Sequence, residues 1–275
     1  MALPITLERV SYRYAPNTTP ALSDINMVLQ SGTCCVILGP TGSGKSTLLH
    51  LLAGVLAKHY PESVGEGVLT IGEHRYTPFP EGILFPTVAL ALQDHYVQIS
   101  GIRDTTRKEI ELTLETLGRD PLRERASIDR LLQQLGIAHL AERKPTALSG
   151  GETQRVALAT ILIANPEIVL LDEPATALDY GAQSRLKLLL QSLRGTSSVV
   201  FTDTRIDLPL DVADRFIVLH AGRIQFDGNR RGFLEQLPDL GDLLPVQDWQ
   251  EAIHEVKGRQ DSPLRQRILR AAGLP

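Results

Sequence analysis

Short apolar runs alternate with longer amphipathic segments along this chain, a pattern typical of an α/β protein. Continuous apolar runs bounded by turn residues predict strands buried on both faces, as in a parallel sheet. Such runs are Cys34–Leu38, Ile168–Leu171 and Val199–Thr202. Further β structure is predicted at Ile5–Val10, at Val68–Ile71, and in a hairpin formed by Phe216–Leu219 and Arg223–Phe226 around the turn His220–Gly222.

The middle of the chain has helical spacing instead. From about Arg103, apolar residues recur at i, i+3, i+4 and i+7, which is the spacing of one helix face. Thr106–Glu109 has the form of a capping box and predicts a helix start. We therefore predict a helical subdomain, at about residues 94–165, inserted between two β-containing halves. The apolar positions behind this prediction are Ile110, Leu114, Leu117, Ile128, Leu131, Leu132 and Leu135.

Two other segments are predicted to lie outside the sheets. Residues 57–67 contain Pro61, Gly65 and Gly67 and predict a surface loop. From Phe233 onward the chain is expected to form a helical extension, which contains Trp249 and no identifiable chemistry. The predicted organisation is one α/β domain over residues 1–232, followed by a helical extension over residues 233–275.

Composition and charge limit the classes of protein to which this chain can belong. The 275 residues, 43% of them hydrophobic, are ample for a large α/β domain with a substantial core. A formal net charge of −4 gives no indication of nucleic acid as a partner. No apolar run approaches the roughly 20 residues that cross a bilayer, and the N-terminus does not resemble a signal peptide. We expect a soluble cytoplasmic protein in which the adjacent Cys34 and Cys35 are buried, unpaired and on opposite faces of a strand.

The clearest chemical signal is a glycine-rich stretch between a predicted strand and a predicted helix. It matches G-x-x-x-x-G-K-[ST], a loop whose glycines let backbone N–H groups wrap a phosphate chain. Lys45 is expected to pair with the outer phosphates and the hydroxyl of Ser46 to help hold Mg²⁺. A plain turn before a core helix would not require this Lys-Ser pair. The phosphate loop comprises Gly39, Pro40, Thr41, Gly42, Ser43, Gly44, Lys45 and Ser46.

A second signal is the pair of carboxylates that follows the apolar run Ile168–Leu171. Ligands of open α/β sheets bind at the carboxyl ends of the strands. We expect Asp172 to support the Mg²⁺ site and Glu173 to polarise or orient an attacking water. The alternative, a strand that ends in a solvated acidic turn, is less consistent with a phosphate loop upstream.

A third signal is the segment Leu148–Gln154, which leads into a predicted helix. Ser149 is suited to an N-cap, and the adjacent Gly150 and Gly151 leave backbone N–H groups at a helix N-terminus. A simple capped helix would explain these residues. It would not explain why one chain has two sites suited to phosphate.

From about Ile5 to Asp227 the chain resembles the ABC ATPase family, because these motifs occur in that family's order. The resemblance implies an α/β fold: a P-loop NTPase core with a mainly parallel sheet, an antiparallel β portion and an inserted helical subdomain. It implies ATP and Mg²⁺ as cofactors and a head-to-tail dimer in which one subunit's phosphate loop faces the other's signature segment, Leu148–Gln154. The residues it assigns to nucleotide are Tyr14 on the adenine, Gly39 to Thr47, Ser149, Gly150, Gly151 and Gln154. Gln93 is assigned to Mg²⁺ and the attacking water, Ser46 and Asp172 to Mg²⁺, Glu173 to catalysis, and Ala177–Asp179 to the dimer interface.

The chain departs from the family at one catalytic position. Where the family carries a histidine that contacts the γ-phosphate, this chain has Asp203. An ionised aspartate only accepts hydrogen bonds and would repel that phosphate. We therefore predict unequal ATP sites and favour a heterodimer with a second ABC ATPase, with a homodimer or a regulatory subunit of low turnover as alternatives.

Within the family, the chain most resembles the ATPases of energy-coupling factor importers for vitamins or metal ions. The resemblance rests on Val10–Tyr14, the loop around Tyr60–Glu62, Gln93–Gln98 and the C-terminal extension. It implies a transmembrane coupling subunit as partner and a peripheral location on the inner face of the cell membrane. Non-transport ABC proteins of DNA repair or translation are the alternative, but the chain has neither a long coiled coil nor two cassettes.

Overall fold

Two sheets form the framework of the computed structural model, which describes residues 1–77, 79–176, 178–240 and 243–244. The larger sheet contains β3 (Cys34–Leu38), β6 (Val88–Ala91), β7 (Ile168–Leu171), β8 (Ser198–Thr202), β9 (Arg215–His220) and β10 (Arg223–Asn229). Its strand order is β10-β9-β3-β8-β7-β6, and every pair is parallel except β10 with β9. The smaller, antiparallel sheet contains β1 (Ile5–Arg13), β2 (Leu22–Leu29), β4 (Val64–Ile71) and β5 (His74–Tyr76) in the order β2-β1-β4-β5.

Helices cover the larger sheet. They are α1 (Lys45–Leu52), α2 (Leu56–His59), α3 (Thr106–Thr116), α4 (Arg125–Gln134), α5 (Gly150–Leu162), α6 (Tyr180–Leu193), α7 (Asp207–Val212) and α8 (Arg230–Leu240), with 3₁₀ turns at His95–Gln98, Ala138–Leu140 and Pro145–Ala147. Helices α3 to α5 lie between β6 and β7 in the chain. No helix among the described residues is long and apolar enough to span a bilayer. The predicted α/β architecture is confirmed.

Strand β3 shows how one strand serves two cores. Cys34 packs in the cluster shared with α3 to α6, whereas Cys35 packs in the cluster between the two sheets, where α1 also lies. Both thiols are free, as the alternation of side chains along a strand predicts. Because β3 is buried on both faces, the phosphate loop that follows it begins from a rigid support.

The predicted loop over residues 57–67 is only partly correct, because β4 begins at Val64. Both glycines that suggested a loop instead fit a strand in crowded surroundings. A Cβ on Gly65 would lie 1.8 Å from the ring of Phe79. Gly67 has a φ of +97°, and a Cβ there would lie 2.5 Å from the carbonyl oxygen of Arg9, where the β1–β4 register shifts.

The predicted capping box was misplaced by one residue. The N-cap of α3 is Thr105, whose hydroxyl accepts a hydrogen bond from the N–H of Lys108. Thr106 is buried and donates its hydroxyl to the carbonyl of Arg143. The carboxylate of Glu109 accepts from the N–H of Ser100 at 2.5 Å, so it anchors the preceding loop instead of capping the helix.

The C-terminal helix begins before the residue expected. Helix α8 starts at Arg230, and Phe233 is fully buried and stacked on Phe216 at 4.7 Å between ring centroids. The first turns of this helix therefore belong to the core of the larger sheet. Trp249 lies outside the described residues.

Candidate functional site

The phosphate loop is a compact cradle between β3 and α1. Gly39 has a φ of +147°, and a Cβ there would lie 2.1 Å from the carbonyl oxygen of Leu219, so only glycine fits. Gly44 caps α1 with a φ of +107°. The hydroxyl of Ser43 is buried and, among the described residues, has no hydrogen-bond partner. An unpaired buried hydroxyl beside a helix N-terminus fits a loop built to receive an anion.

Lys45 reaches back across this loop. Its ammonium group donates to the carbonyl of Gly39 at 2.8 Å and to that of Pro40 at 3.1 Å. Burial lowers the pKa of Lys45, although the charges of Glu173, Asp172 and Asp203 oppose that shift. The cation is therefore held over the loop and faces the site's three carboxylates.

The two acidic residues predicted at the end of β7 both bond to one residue of the neighbouring strand β8, Asp172 through its carboxylate and Glu173 through its backbone N–H. The hydroxyl of Thr202 donates to Asp172 Oδ1 at 2.6 Å and accepts from the N–H of Glu173 at 2.8 Å. Glu173 has a φ of +47°, a strained conformation for a residue with a side chain. The sequence motifs did not include Thr202, and its place at the end of the predicted strand Val199–Thr202 was the only local signal for it.

Gln93, which the resemblance assigns to Mg²⁺ and the attacking water, contacts Glu173 in the structure. Its Nε2 donates to Glu173 Oε2 at 3.3 Å, although the two residues are far apart in sequence. Thr176 contacts the same carboxylate oxygen through its hydroxyl at 3.3 Å. The segment after β6 is thus hydrogen-bonded to the predicted catalytic carboxylate. Only the amide nitrogen of Gln93 takes part in this bond; its amide oxygen does not.

Asp203 is buried at the same edge of the sheet. Its Oδ1 accepts from the N–H of Arg205 at 2.8 Å, whereas Oδ2 is buried without a partner among the described residues. Burial raises the pKa of Asp203 to about 6, an effect that the charge of Glu173 reinforces and the backbone N–H groups of Arg205 and Thr204 oppose. A carboxyl group in this state can carry a proton near neutral pH and then donate a hydrogen bond.

Tyr14 lies next to the first turn of α1. Its hydroxyl donates to Thr47 Oγ1 at 3.2 Å. Its ring contacts Tyr12 and Tyr60 edge to face, with centroids 4.9 and 4.8 Å apart. Tyr14 and Thr47 are therefore adjacent, as expected for residues that bind one ligand, and Tyr60 extends the aromatic surface.

The signature segment has its own set of contacts. Ser149 is the N-cap of α5, and its N–H and hydroxyl both donate to Glu152 Oε2 at 2.8 Å. Gly150 lies against His95 and Tyr96. Gln154 is buried and donates to the carbonyl of Pro174, so it ties α5 to the loop after Glu173. Leu178 and Asp179 precede α6, with Asp179 as its N-cap, and Ala177 lies outside the described residues.

Comparisons with known proteins agree with this geometry. Residues 22–176 match the ABC transporter family. The chain is 36% identical over 215 residues to the sulfate/thiosulfate import ATP-binding protein CysA of Mycobacterium tuberculosis, covering 76% of this chain and 57% of that relative, so it spans little more than half of CysA. It is 32% identical over 232 residues to the energy-coupling factor transporter ATP-binding protein EcfA1 of Thermotoga maritima, with 84% of each covered. A dimeric, post-hydrolysis structure of the ATP-binding cassette MJ0796 bound to ADP and Pi superposes with a TM-score of 0.69 at 26% identity, covering 83% of this chain and 100% of that one.

Thr202→Val should weaken the site because it removes one hydroxyl that serves both Asp172 and Glu173. We expect a loss of about 1–3 kcal/mol in the free energy of unfolding. We also expect a 10- to 100-fold loss of ATP hydrolysis, as is typical when the partner of a metal-binding carboxylate is removed. Denaturant unfolding and phosphate release measure the two effects. Thr160→Val, which removes a buried hydroxyl that bonds only within α5, is the matched control; full hydrolysis by Thr202→Val would contradict this role.

Asp203→Asn should stabilise the protein increasingly as pH rises. Burial raises the pKa of Asp203 from 3.8 to about 6, so the folded state binds its proton more tightly than the unfolded state does. Stability is therefore lost as pH rises from about 4 to above 6, by up to about 3 kcal/mol at 1.36 kcal/mol per pKa unit. Asparagine does not ionise, so its gain in melting temperature should be larger at pH 7.5 than at pH 5. Asp239→Asn, at an exposed position, is the control. An equal gain in melting temperature for Asp203→Asn at both pH values would refute the raised pKa of Asp203.

Proposed function

Since the chain belongs to the ABC transporter ATPase family, we propose that it is the ATP-binding and ATP-hydrolysing subunit of an importer. The observation that carries this proposal is the arrangement around Lys45. A phosphate loop whose buried serine hydroxyl has no hydrogen-bond partner in the described part of the chain lies opposite the two carboxylates that follow strand β7. That arrangement supplies a cradle for phosphates and, beside it, groups that can act on a water molecule.

The roles of the chain's own residues follow from their contacts. Lys45 would leave the carbonyls of Gly39 and Pro40 to pair with the outer phosphates. Glu173, oriented by Gln93 and Thr202, would accept a proton from the attacking water as its oxygen bonds to the γ-phosphorus. The bond from that phosphorus to the β–γ bridging oxygen breaks, and the products are ADP and phosphate.

The oxygen donors near this carboxylate pair fit a magnesium ion. Asp172 provides a buried carboxylate, Gln93 an amide oxygen outside its bond to Glu173, and Ser46 a hydroxyl in the first turn of α1. Such hard oxygen ligands suit Mg²⁺. When bound, the ion would neutralise charge on the β- and γ-phosphates.

We propose that the working unit is a dimer. Among the described residues, Ser149 bonds to Glu152 and Thr153, Gly150 lies against His95 and Tyr96, and none of these contacts is with the phosphate loop. A second subunit would supply the phosphate loop that these residues face, and the solved MJ0796 cassette bound to ADP and Pi is dimeric. Because Asp203 belongs to this chain's own phosphate site, a heterodimer would leave the other site free of it.

We propose an energy-coupling factor importer for a vitamin or a metal ion as the transport system. EcfA1 and this chain match over 84% of both lengths, whereas 57% of CysA is matched. The match to EcfA1 also covers more of this chain, 84% against 76% for CysA, and this supports the energy-coupling factor type. The chain would be cytoplasmic and bound to the inner face of the membrane through a transmembrane coupling subunit.

The surface proposed for that subunit is the docking segment, Asp94–Asp104. Tyr96, Val97 and Ile102 are exposed here, at 57%, 67% and 75%, whereas Ile99 packs against the core. A cavity of about 540 Å³ adjoins this segment at Gln98. Its other lining residues, mainly apolar, include Val55, Tyr60, Phe85, Leu90 and Ile161. An exposed apolar strip beside an apolar cavity is typical of a protein interface.

Lys45→Ala tests nucleotide binding. We expect loss of about 2–5 kcal/mol of binding free energy, because the variant removes the cation that faces the outer phosphates. Titration with Mg·ATP followed by calorimetry measures the change. Lys108→Ala, which breaks only an exposed pair with Asp104, should bind like the wild type. Equal affinities of the wild type and Lys45→Ala would refute the proposed site.

Val97→Asp and Ile102→Asp test docking. Each places a charge on the exposed strip, so we expect loss of co-purification with membrane proteins while the melting temperature is unchanged. Leu122→Asp is the matched control, because Leu122 is 81% exposed but lies outside the docking segment. Membrane association that survives both substitutions would rule out this surface.

Asp203→His tests the proposed inequality of the two sites. If Asp203 weakens its own site by repelling the γ-phosphate, histidine should raise hydrolysis there by about 10²–10³-fold, the usual effect of one such electrostatic contact. The measurement compares phosphate release by the chain alone and by the chain with its partner ATPase. Robust hydrolysis by the unmodified chain alone, unchanged or lowered by histidine, would show that Asp203 is a working substitute.

A further inference from the structure

The 3₁₀ turn His95–Gln98 holds a buried histidine against the signature helix α5. Gln98 fixes the turn to the sheet, since its side chain donates to the carbonyl of Leu90 at 2.7 Å and accepts from the N–H of Leu92 at 2.9 Å. His95 is 8% exposed, and neither ring nitrogen has a hydrogen-bond partner among the described residues. A buried imidazole without a partner is rare and calls for a ligand or a functional reason.

His95 is directed at the N-terminus of α5. A Cβ built on Gly150 would lie 4.0 Å from His95 Nε2 and 3.2 Å from the hydroxyl oxygen of Tyr96. The ring of Tyr96 lies over that of His95, with centroids 4.8 Å apart and planes tilted by 31°. The absence of a side chain at Gly150 therefore lets both rings approach the helix end.

The same helix end has backbone donors to offer. The capping box of Ser149 and Glu152 engages the N–H groups of those two residues. The N–H groups of Gly150 and Gly151 precede that of Thr153, which bonds the Ser149 carbonyl, so they have no acceptor within the helix. The carboxylate of Glu152 is held by Ser149 and lies 3.9 Å from the guanidinium of Arg143, so its charge is partly balanced. A helix N-terminus binds anions through its backbone N–H groups, and a ring N–H of His95 beside it would add one more donor to the same anion.

We propose that His95 is a further phosphate-binding residue of the signature segment. Its ring N–H donates to the terminal phosphate of the nucleotide held by the second subunit's phosphate loop. Tyr96, a residue that is 57% exposed, turns aside to admit that phosphate. This inference rests on the proposed function, because it needs the dimer. In this proposal the phosphate-binding residue His95 and the docking residue Val97 belong to the same 3₁₀ turn.

The test uses two assemblies that each retain one working phosphate loop. In the first, this chain carries Lys45→Ala, so ATP binds only to the second subunit's loop, which faces this chain's signature segment. In the second, the equivalent lysine of the second subunit is replaced, so ATP binds only to this chain's loop. His95→Phe, which keeps the ring and removes the nitrogens, is introduced into this chain in both. The measurement is the affinity for a non-hydrolysable ATP analogue.

We expect His95→Phe to weaken the analogue about tenfold in the first assembly and to leave the second unchanged. His95→Gln, which restores a donor, should recover part of the loss, and the exposed His139→Phe should have no effect. Equal losses in both assemblies would reveal a packing role and overturn the inference, as would no loss in either. If neither parent assembly binds the analogue, the proposed function itself fails.

Discussion

The meeting of three parallel strands at one sheet edge is the constraint on which the rest of the structure depends. Strand β8 lies between β3 and β7, so whatever follows these strands must converge. The phosphate loop follows β3, the acidic pair follows β7, and Asp203 follows β8. Any slip in this register would separate Thr202 from Asp172 and Glu173. The site is therefore a consequence of strand order as much as of its motifs.

Burial gives these groups their chemical character. Lys45, Asp172 and Asp203 are all at most 5% exposed, so their charges act on one another through little water. The lysine is the cation at the centre of this acidic group, and its ammonium rests on carbonyls of its own loop. Phosphates would add negative charge to a site that already holds three carboxylates. Such a site gains from Mg²⁺ and from a protonated Asp203, which is consistent with the raised pKa of that residue.

The short turn after Gln93 brings three regions together: the acidic residues after β7, the signature helix α5 and the docking segment. Gln93 reaches Glu173, His95 and Tyr96 lie against α5, and Val97 is exposed. A displacement of this turn would alter the contacts of both Glu173 and the helix α5. Physical contact between these sites is the minimum that coupling between partner docking and ATP hydrolysis would require.

The sequence by itself determined the local features: the phosphate loop, the acidic strand end, the capped signature helix, the opposed faces of Cys34 and Cys35, and the hairpin of β9 and β10. Each depends on neighbours within a few residues, where propensity and periodicity act. The errors at Thr106 and at residues 64–67 arose where distant groups intervened, namely the Arg143 carbonyl and the ring of Phe79. Only the tertiary structure decided that Thr202 bonds both the carboxylate of Asp172 and the backbone N–H of Glu173, that Asp203 is buried, and that His95 faces Gly150. Those facts depend on strand register and on packing between segments far apart in the chain, which no local pattern encodes.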